Sequence, residues 1–145
     1  VKILTNENQL SKTDKFDLIT AIHVLDHLIN PDEQIKNYCE LLKKEGTLNF
    51  VTHNYNSILR KILGKKWPPY CLQHPQLYSP SSFRTIASTH ELKIAASRRT
   101  TNWLDLAALF LRISAILGIK SSLKLRINLV IPVNFGNILT IFIKV

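Results

Sequence analysis

The sequence predicts an α/β domain built on a wound sheet, and three observations carry that prediction. First, the apolar run Phe16 to Ile22 has little alternation and leads straight into His23, Asp26 and His27. Such a run belongs to a parallel strand with helices above and below it. Second, Asn30-Pro31-Asp32-Glu33 and Ser79-Pro80 each place a capping side chain before a proline at the first helical position, the usual start of a helix. Third, a new strand follows Gly46, so strand, helix and strand come in the order of a right-handed crossover.

The elements follow from these signals in order. Val1 to Leu4 reads as a strand with no loop or helix before it, and there is no Met in 145 residues. Both features predict that residues 1–145 are the C-terminal part of a single domain whose first two strands lie upstream. Thr5 to Lys15 is a polar loop and Phe16 to Ile22 the next strand. A helix opens at Pro31, with Asp32 and Glu33 facing the positive end of its dipole and Ile35, Tyr38, Cys39 and Leu42 on one face. It is expected to stop near Glu45, with Gly46 as a left-handed exit. Thr47 to Thr52 is a strand ending in His53, Asn54 and Tyr55. Asn56 to Gly64 is a short amphipathic helix. Lys65 to Tyr78, broken by Pro68, Pro69 and Pro75, is a long irregular loop of the kind that forms lids and binding surfaces. Phe83, Ile86 and Ala87 form the apolar stripe of the helix opened by Pro80. Leu92 to Ser97 is a strand, Leu106, Leu109, Phe110, Ile113 and Leu117 the apolar face of a helix, Asn134 to Asn137 a turn, and Ile138 to Val145 the last strand.

Composition sets the outer limits. A chain of this length with 46% hydrophobic residues is one domain with room for a core. Cys39 and Cys71 have no paired spacing, so neither a disulfide framework nor a structural zinc site is expected, which fits the cytoplasm. Leu104 to Ile119 is interrupted by Asp105 and Arg112 and falls short of the ~20 residues a membrane span needs. The formal charge of +9 includes clusters at Lys43/Lys44, Arg60/Lys61, Lys65/Lys66 and Arg98/Arg99. These read first as a solvated surface and second as steering for an anionic partner. No basic run carries the aromatic spacing of a single-strand platform, so no specific nucleic acid is expected.

In open parallel sheets ligands bind beyond the carboxyl ends of the strands. Three segments converge there, after residues 4, 22 and 52, and they supply Asn6, Glu7, His23, Asp26, His27, His53, Asn54 and Asn56. Histidine suits proton transfer near neutral pH.

The sequence FDLITAIHVLDHL, followed by NPDEQIKNYCELLKKEGTLNFVTHNYNS, resembles the fourth strand, following helix and fifth strand of class I S-adenosylmethionine-dependent methyltransferases. GKKWPPYCLQHPQLYSPSSFRTI is similar to a tryptophan, glutamine-histidine and serine-proline portion of a broad small-molecule and glycan methyltransferase subgroup, and GNILTIFIKV to its closing strand. The resemblance implies a Rossmann-like sheet, mostly parallel, with Ile138 to Val145 inserted antiparallel. It implies S-adenosyl-L-methionine as cofactor, transfer of its methyl group to a small-molecule or glycan-like acceptor, and the missing N-terminal half of the domain as structural partner. The family's glycine-rich cofactor loop is absent: Gly46, Gly64, Gly118 and Gly136 stand singly, so the chain alone is expected to be inactive.

By resemblance, Asn6, Glu7, Ile22 and His23 would line the cofactor, Asn6 standing where the family commonly has an acid for the adenine. His74 and His27 are the candidate bases, with His53 also within the set. Asn54, Trp67 and Tyr78 are candidates for acceptor binding. Some methyltransferases of vicinal hydroxyls hold a divalent cation with an acid, an acid-histidine pair and a distant histidine; His23, Asp26, His27 and His74 occupy those places, His23 replacing the first acid, though no metal is assigned. Two rivals stand beside this reading. One is a non-catalytic remnant or basic module attached to an anionic partner or, peripherally, to a membrane surface. The other, a nicotinamide-dependent oxidoreductase, fits the strand-helix order but neither Leu25-Asp26-His27 nor a late antiparallel strand.

Overall fold

The computed structural model describes residue 10 and residues 13–118, 129–134 and 136–145. The expected strand Val1 to Leu4, together with Asn6 and Glu7, lies outside the described residues. The elements are β1 (Phe16–Ile22), α1 (Pro31–Leu41), β2 (Leu42–His53), α2 (Ile58–Leu63), α3 (Pro80–Thr89), β3 (Leu92–Arg99), β4 (Asn102–Asp105), α4 (Leu106–Leu117), β5 (Val130–Val133) and β6 (Asn137–Lys144).

Four strands form one mixed sheet in the order β1-β2-β6-β3. β1 and β2 are parallel, whereas β6 lies antiparallel between β2 and β3. The antiparallel insertion of β6 is as the resemblance implied, but the described sheet is mixed, not mostly parallel: β1 and β2 make its one parallel pairing. β4 and β5 make a separate antiparallel pair that the sequence did not announce. Each has four residues, and Pro132 inside β5 removes the donor by which a strand is ordinarily recognised.

The core lies on one face of the sheet. Leu48 and Phe50 of β2 and Phe142 of β6 are fully buried against Ile35 of α1 and Phe83 and Ala87 of α3. Phe50 is the centre, with ring centroids 5.6 Å from Phe142, 6.2 Å from Tyr38 and 6.4 Å from Phe83. Alternation along β2 puts Leu48, Phe50 and Thr52 on this face and leaves Asn49, Val51 and His53 half-buried on the other. The expectation that β1 is covered on both faces is corrected: Ala21 alone in that strand is buried, and Leu18 and Ile22 are 55% and 61% exposed. Alternation along β1 turns Ile19 and Ala21 to the core and Leu18, Thr20 and Ile22 to the exposed face, so one face of the strand is covered and not both.

Two helix boundaries differ from expectation for local reasons. Asn30 makes no side-chain cap bond, so Pro31 and the first-turn acids mark that start, whereas Ser79 accepts from the Ser82 N–H at 3.2 Å. α1 ends at Leu41 and runs directly into β2, with Glu45, not Gly46, in the left-handed region at φ +61°. Gly46 meets a different demand: a Cβ there would lie 2.8 Å from the Lys43 carbonyl oxygen and 3.2 Å from that of Phe16. It permits the close approach at the irregular step where Phe16 pairs with Leu42 and Leu18 with Thr47.

α4 forms as expected, and Asp105, which interrupts the greasy stretch in sequence, is its cap, accepting from the Ala107 and Ala108 N–H groups at 2.8 and 3.1 Å. Its apolar face is only partly covered: Leu106 and Leu109 are half-buried, whereas Phe110 and Ile113 are 40% and 47% exposed. No helix among the described residues is long and apolar enough to cross a membrane.

Candidate active site

The site is built where β1, β2 and β6 meet. β1 ends at Ile22, and His23 takes a left-handed backbone (φ +52°) while its N–H donates to the Val51 carbonyl of β2 at 2.8 Å. One tight turn, Leu25–His27, then carries Asp26 inward to full burial. β2 ends at His53, whose backbone N–H donates to Asp26 Oδ2 at 3.3 Å. Because β6 runs antiparallel beside β2, its first residue, Asn137, pairs with His53.

Hydrogen bonding gives these side chains one polarity. Asp26 Oδ2 accepts, so the His23 Nδ1–H donates to it at 3.2 Å and His23 Nε2 becomes an acceptor. Asn137 Nδ2 donates to that Nε2 at 3.4 Å, which turns its Oδ1 toward His53. There Oδ1 accepts from the His53 Nδ1–H at 2.9 Å. Each assignment fixes the next, and the path leaves the lone pair on His53 Nε2. Burial lowers the His53 pKa below its ordinary value, against the opposing pull of Asp26 and the Asn137 bond. The ring is therefore neutral at pH 7, in the form a base requires.

His27 and His74 form a second group. The His27 Nδ1–H donates to the Gln73 carbonyl at 2.8 Å and the His74 Nδ1–H to that of Pro69 at 3.1 Å, with Cys71 Sγ 3.2 Å from the same nitrogen. Their rings lie 4.6 Å apart, and His74 is also 4.9 Å from His53. The His27 bond ties the 65–78 loop to the turn after β1, and His74 closes a turn within the loop and packs its ring against His27 and His53. Trp67, 1% exposed, anchors the loop beneath, 6.2 Å from the His53 ring and 5.3 Å from Tyr70.

The structure distributes the sequence-level candidates unevenly. His23, His27, His53 and His74 converge on one edge with Asp26. The four residues considered for a cation do not form one set, since His27 and His74 turn to loop carbonyls. His23, Asp26 and His53 instead offer one ligand atom each within 4.8 Å of one another, and Asp26 Oδ1 is buried without a partner. This mixed N/O trio is what a borderline divalent metal could use. Ile22 and His23 sit at the mouth of β1. Tyr78 belongs to the core, stacked 5.4 Å from Phe83, its hydroxyl donating to the Leu25 carbonyl at 3.4 Å and its phenol pKa raised by burial and by Asp26. Asn54 lines a cavity of about 170 Å³ with Ser57, Arg99, Asn134, Gly136 and Asn137. Asn137 was not singled out from sequence, and Arg99 was named there only as part of the Arg98/Arg99 basic cluster. The role of Asn137 depends on β6 lying beside β2, for which the sequence offered no local signal.

Comparison with known proteins places these residues in context. A family model described as a methyltransferase domain matches residues 2–97. A ubiquinone biosynthesis O-methyltransferase of Coxiella burnetii is 30% identical over 101 residues, covering 65% of this chain and 41% of that protein. The chain thus spans about two fifths of the length of the curated relatives it matches. Among solved structures, an O-methyltransferase family 2 protein of Planctomyces limnophilus in complex with apigenin is 14% identical, with a TM-score of 0.58, over 97% of this chain and 34% of that one. Magnesium protoporphyrin IX methyltransferase of Synechocystis with bound SAH is 13% identical, TM-score 0.53, over 94% and 48%. At these identities the likeness is one of fold.

Proposed function

We propose, from the premise that this chain belongs to the methyltransferase domain family, that it is the C-terminal part of an S-adenosylmethionine-dependent methyltransferase domain and carries the base of its active site. The observation that carries this reading is the hydrogen-bond path from Asp26 through His23 and Asn137 to His53. When bound, the cofactor supplies an electrophilic methyl group on a sulfonium. Ile22 and His23 are the described residues assigned to it. They fit: Ile22 and Val24 present exposed apolar surface beside the sharp His23 turn, where a nucleoside face can lie. Asn6 and Glu7 are proposed for the same pocket. The glycine-rich loop is assigned to the part of the relatives this chain does not span, so the chain alone is expected to be inactive.

His53 Nε2 takes the proton of an acceptor hydroxyl, and the imidazolium so formed keeps its Nδ1–H on Asn137 Oδ1 with Asp26 nearby to stabilise the charge. The loop tied down by His27 and packed through His74 excludes water. These two histidines are the alternative bases. The acceptor is a small molecule or glycan-like hydroxyl compound, and the O-methyltransferase named among the relatives supports an oxygen nucleophile. Methyl-transfer kinetics on the whole protein test the assignment. His53→Gln should lower kcat by about 10²–10⁴ while calorimetric cofactor affinity stays unchanged. Full activity in His53→Gln with loss in His74→Gln moves the role to His74.

A second reading draws on Trp103, Phe110, Leu111 and Ile113, exposed together on β4 and α4 of a chain with net charge +9. These would suit a basic, non-catalytic module on an anionic membrane surface. Co-sedimentation with phosphatidylglycerol vesicles, without cofactor binding by the whole protein, would select it.

A further inference from the structure

The cavity at the end of β2 points to a binding site for an anionic oxygen group, a carboxylate or a phosphate, and we infer that the acceptor carries such a group on a small apolar body. This inference rests on the methyltransferase reading and names its substrate class. Among the described residues lining the cavity there is one cation, Arg99, and no acid. Arg99 has no ion pair among the described residues.

The polar atoms around the cavity are largely committed, and what is left over is mostly donor. Asn134 spends Nδ2 on the Thr100 carbonyl (2.6 Å) and Oδ1 on the Gly136 N–H (2.8 Å). Asn137 spends both groups on the two histidines. Asn54 Oδ1 accepts from the Asn56 N–H at 2.9 Å, leaving its Nδ2 donors. Ser57 Oγ accepts from the Arg60 N–H at 3.2 Å, leaving its hydroxyl proton. Asn56, exposed, adds an amide of either polarity. A cavity whose remaining groups are a guanidinium, an amide nitrogen and a hydroxyl proton recognises a ligand rich in acceptors and negative in charge.

Size and position fit the same ligand. About 170 Å³ is comparable to a ~150 Å³ cavity that admits benzene, and Ile58 and Leu59 give an apolar wall for a ring or short chain. Asn137 lines the cavity and also holds His53, so a ligand anchored at Arg99 is separated from the base by one shared residue.

Titration of the ¹⁵N-labelled whole protein with benzoate, phenyl phosphate and neutral benzyl alcohol tests this. Benzoate or phenyl phosphate should shift the Asn54 and Asn137 side-chain amides saturably, and benzyl alcohol should not. The tighter of the two anions identifies the group. Arg99→Gln should weaken binding about tenfold or more, the loss of a charge-assisted hydrogen bond. Arg98→Gln, which points to the opposite face of β3, should change it less than about twofold if the contact is specific rather than diffuse. Equal effects of Arg98→Gln and Arg99→Gln, or equal binding of benzyl alcohol, overturn the site. Cofactor calorimetry separates the two readings. S-adenosylmethionine binding with no anion binding sinks this inference alone, whereas anion binding with no S-adenosylmethionine binding leaves an anion site at Arg99 and sinks the methyltransferase reading, and with it the assignment of the anion as methyl acceptor.

Discussion

Replacing Asn137 with alanine breaks the path between the two histidines, and the structure sets the size of the effect. Asn137 is 6% exposed, and its Oδ1 is the 2.9 Å partner of the half-buried His53 Nδ1–H. Stranding that donor costs about 1–3 kcal/mol. The 3.4 Å contact to His23 is long and adds under about 1 kcal/mol. The sum, about 1–4 kcal/mol, is a large part of the ~5–15 kcal/mol that holds a domain together. Urea unfolding of the whole protein at pH 7.5 should show a midpoint lowered by about 0.5–2 M with an unchanged slope. Asn137→Asp keeps an acceptor toward His53 and adds a negative charge, so it should raise the His53 pKa, whereas alanine should lower it by removing a bond that favours the charged form. Long-range ¹H–¹⁵N spectra should find wild-type His53 protonated on Nδ1. A proton on Nε2 instead, or an alanine variant within about 0.5 kcal/mol of wild type, would refute the path.

Three further outcomes follow from the packing and charge. Because burial lowers the folded pKa of His53, the unfolded chain takes the proton first: this stabilisation is complete above the unfolded value of about 6.5 and is lost as pH falls from there toward the folded value. His53→Gln should flatten that limb of the stability–pH curve, and a curve parallel to wild type would exclude the assignment. Gly136 has φ +85°, and a Cβ there would sit 2.5 Å from Ser57 Cβ. Gly136→Ala should therefore destabilise by about 2–4 kcal/mol in denaturant titration. Phe50→Ala, at the fully buried aromatic centre, should cost about 3–5 kcal/mol, measured the same way.

Much of the framework was legible in local signals. Pro31 and Ser79-Pro80 marked two helix starts because cap and proline act within one turn. The positions of His23, Asp26 and His53 were legible because an apolar strand that ends in polar residues delivers them to a sheet edge. Asn137 was not, since its role depends on which strand β6 lies beside, a long-range fact with no local trace. The loop histidines illustrate the same limit: sequence supplies an imidazole but not the carbonyl at Gln73 or Pro69 that claims its proton. The bounds of α1 shifted because Gly46 answers to a neighbouring strand and not to its own helix.

The strand that seals the sheet, β6, is the last of the described elements to leave the ribosome, yet it lies between β2 and β3. Until residue 144 has emerged, those two have no common neighbour through which to join. Assembly of the described sheet must therefore be completed after its translation, and a nascent chain halted before Asn137 would expose two raw strand edges for chaperones to shield.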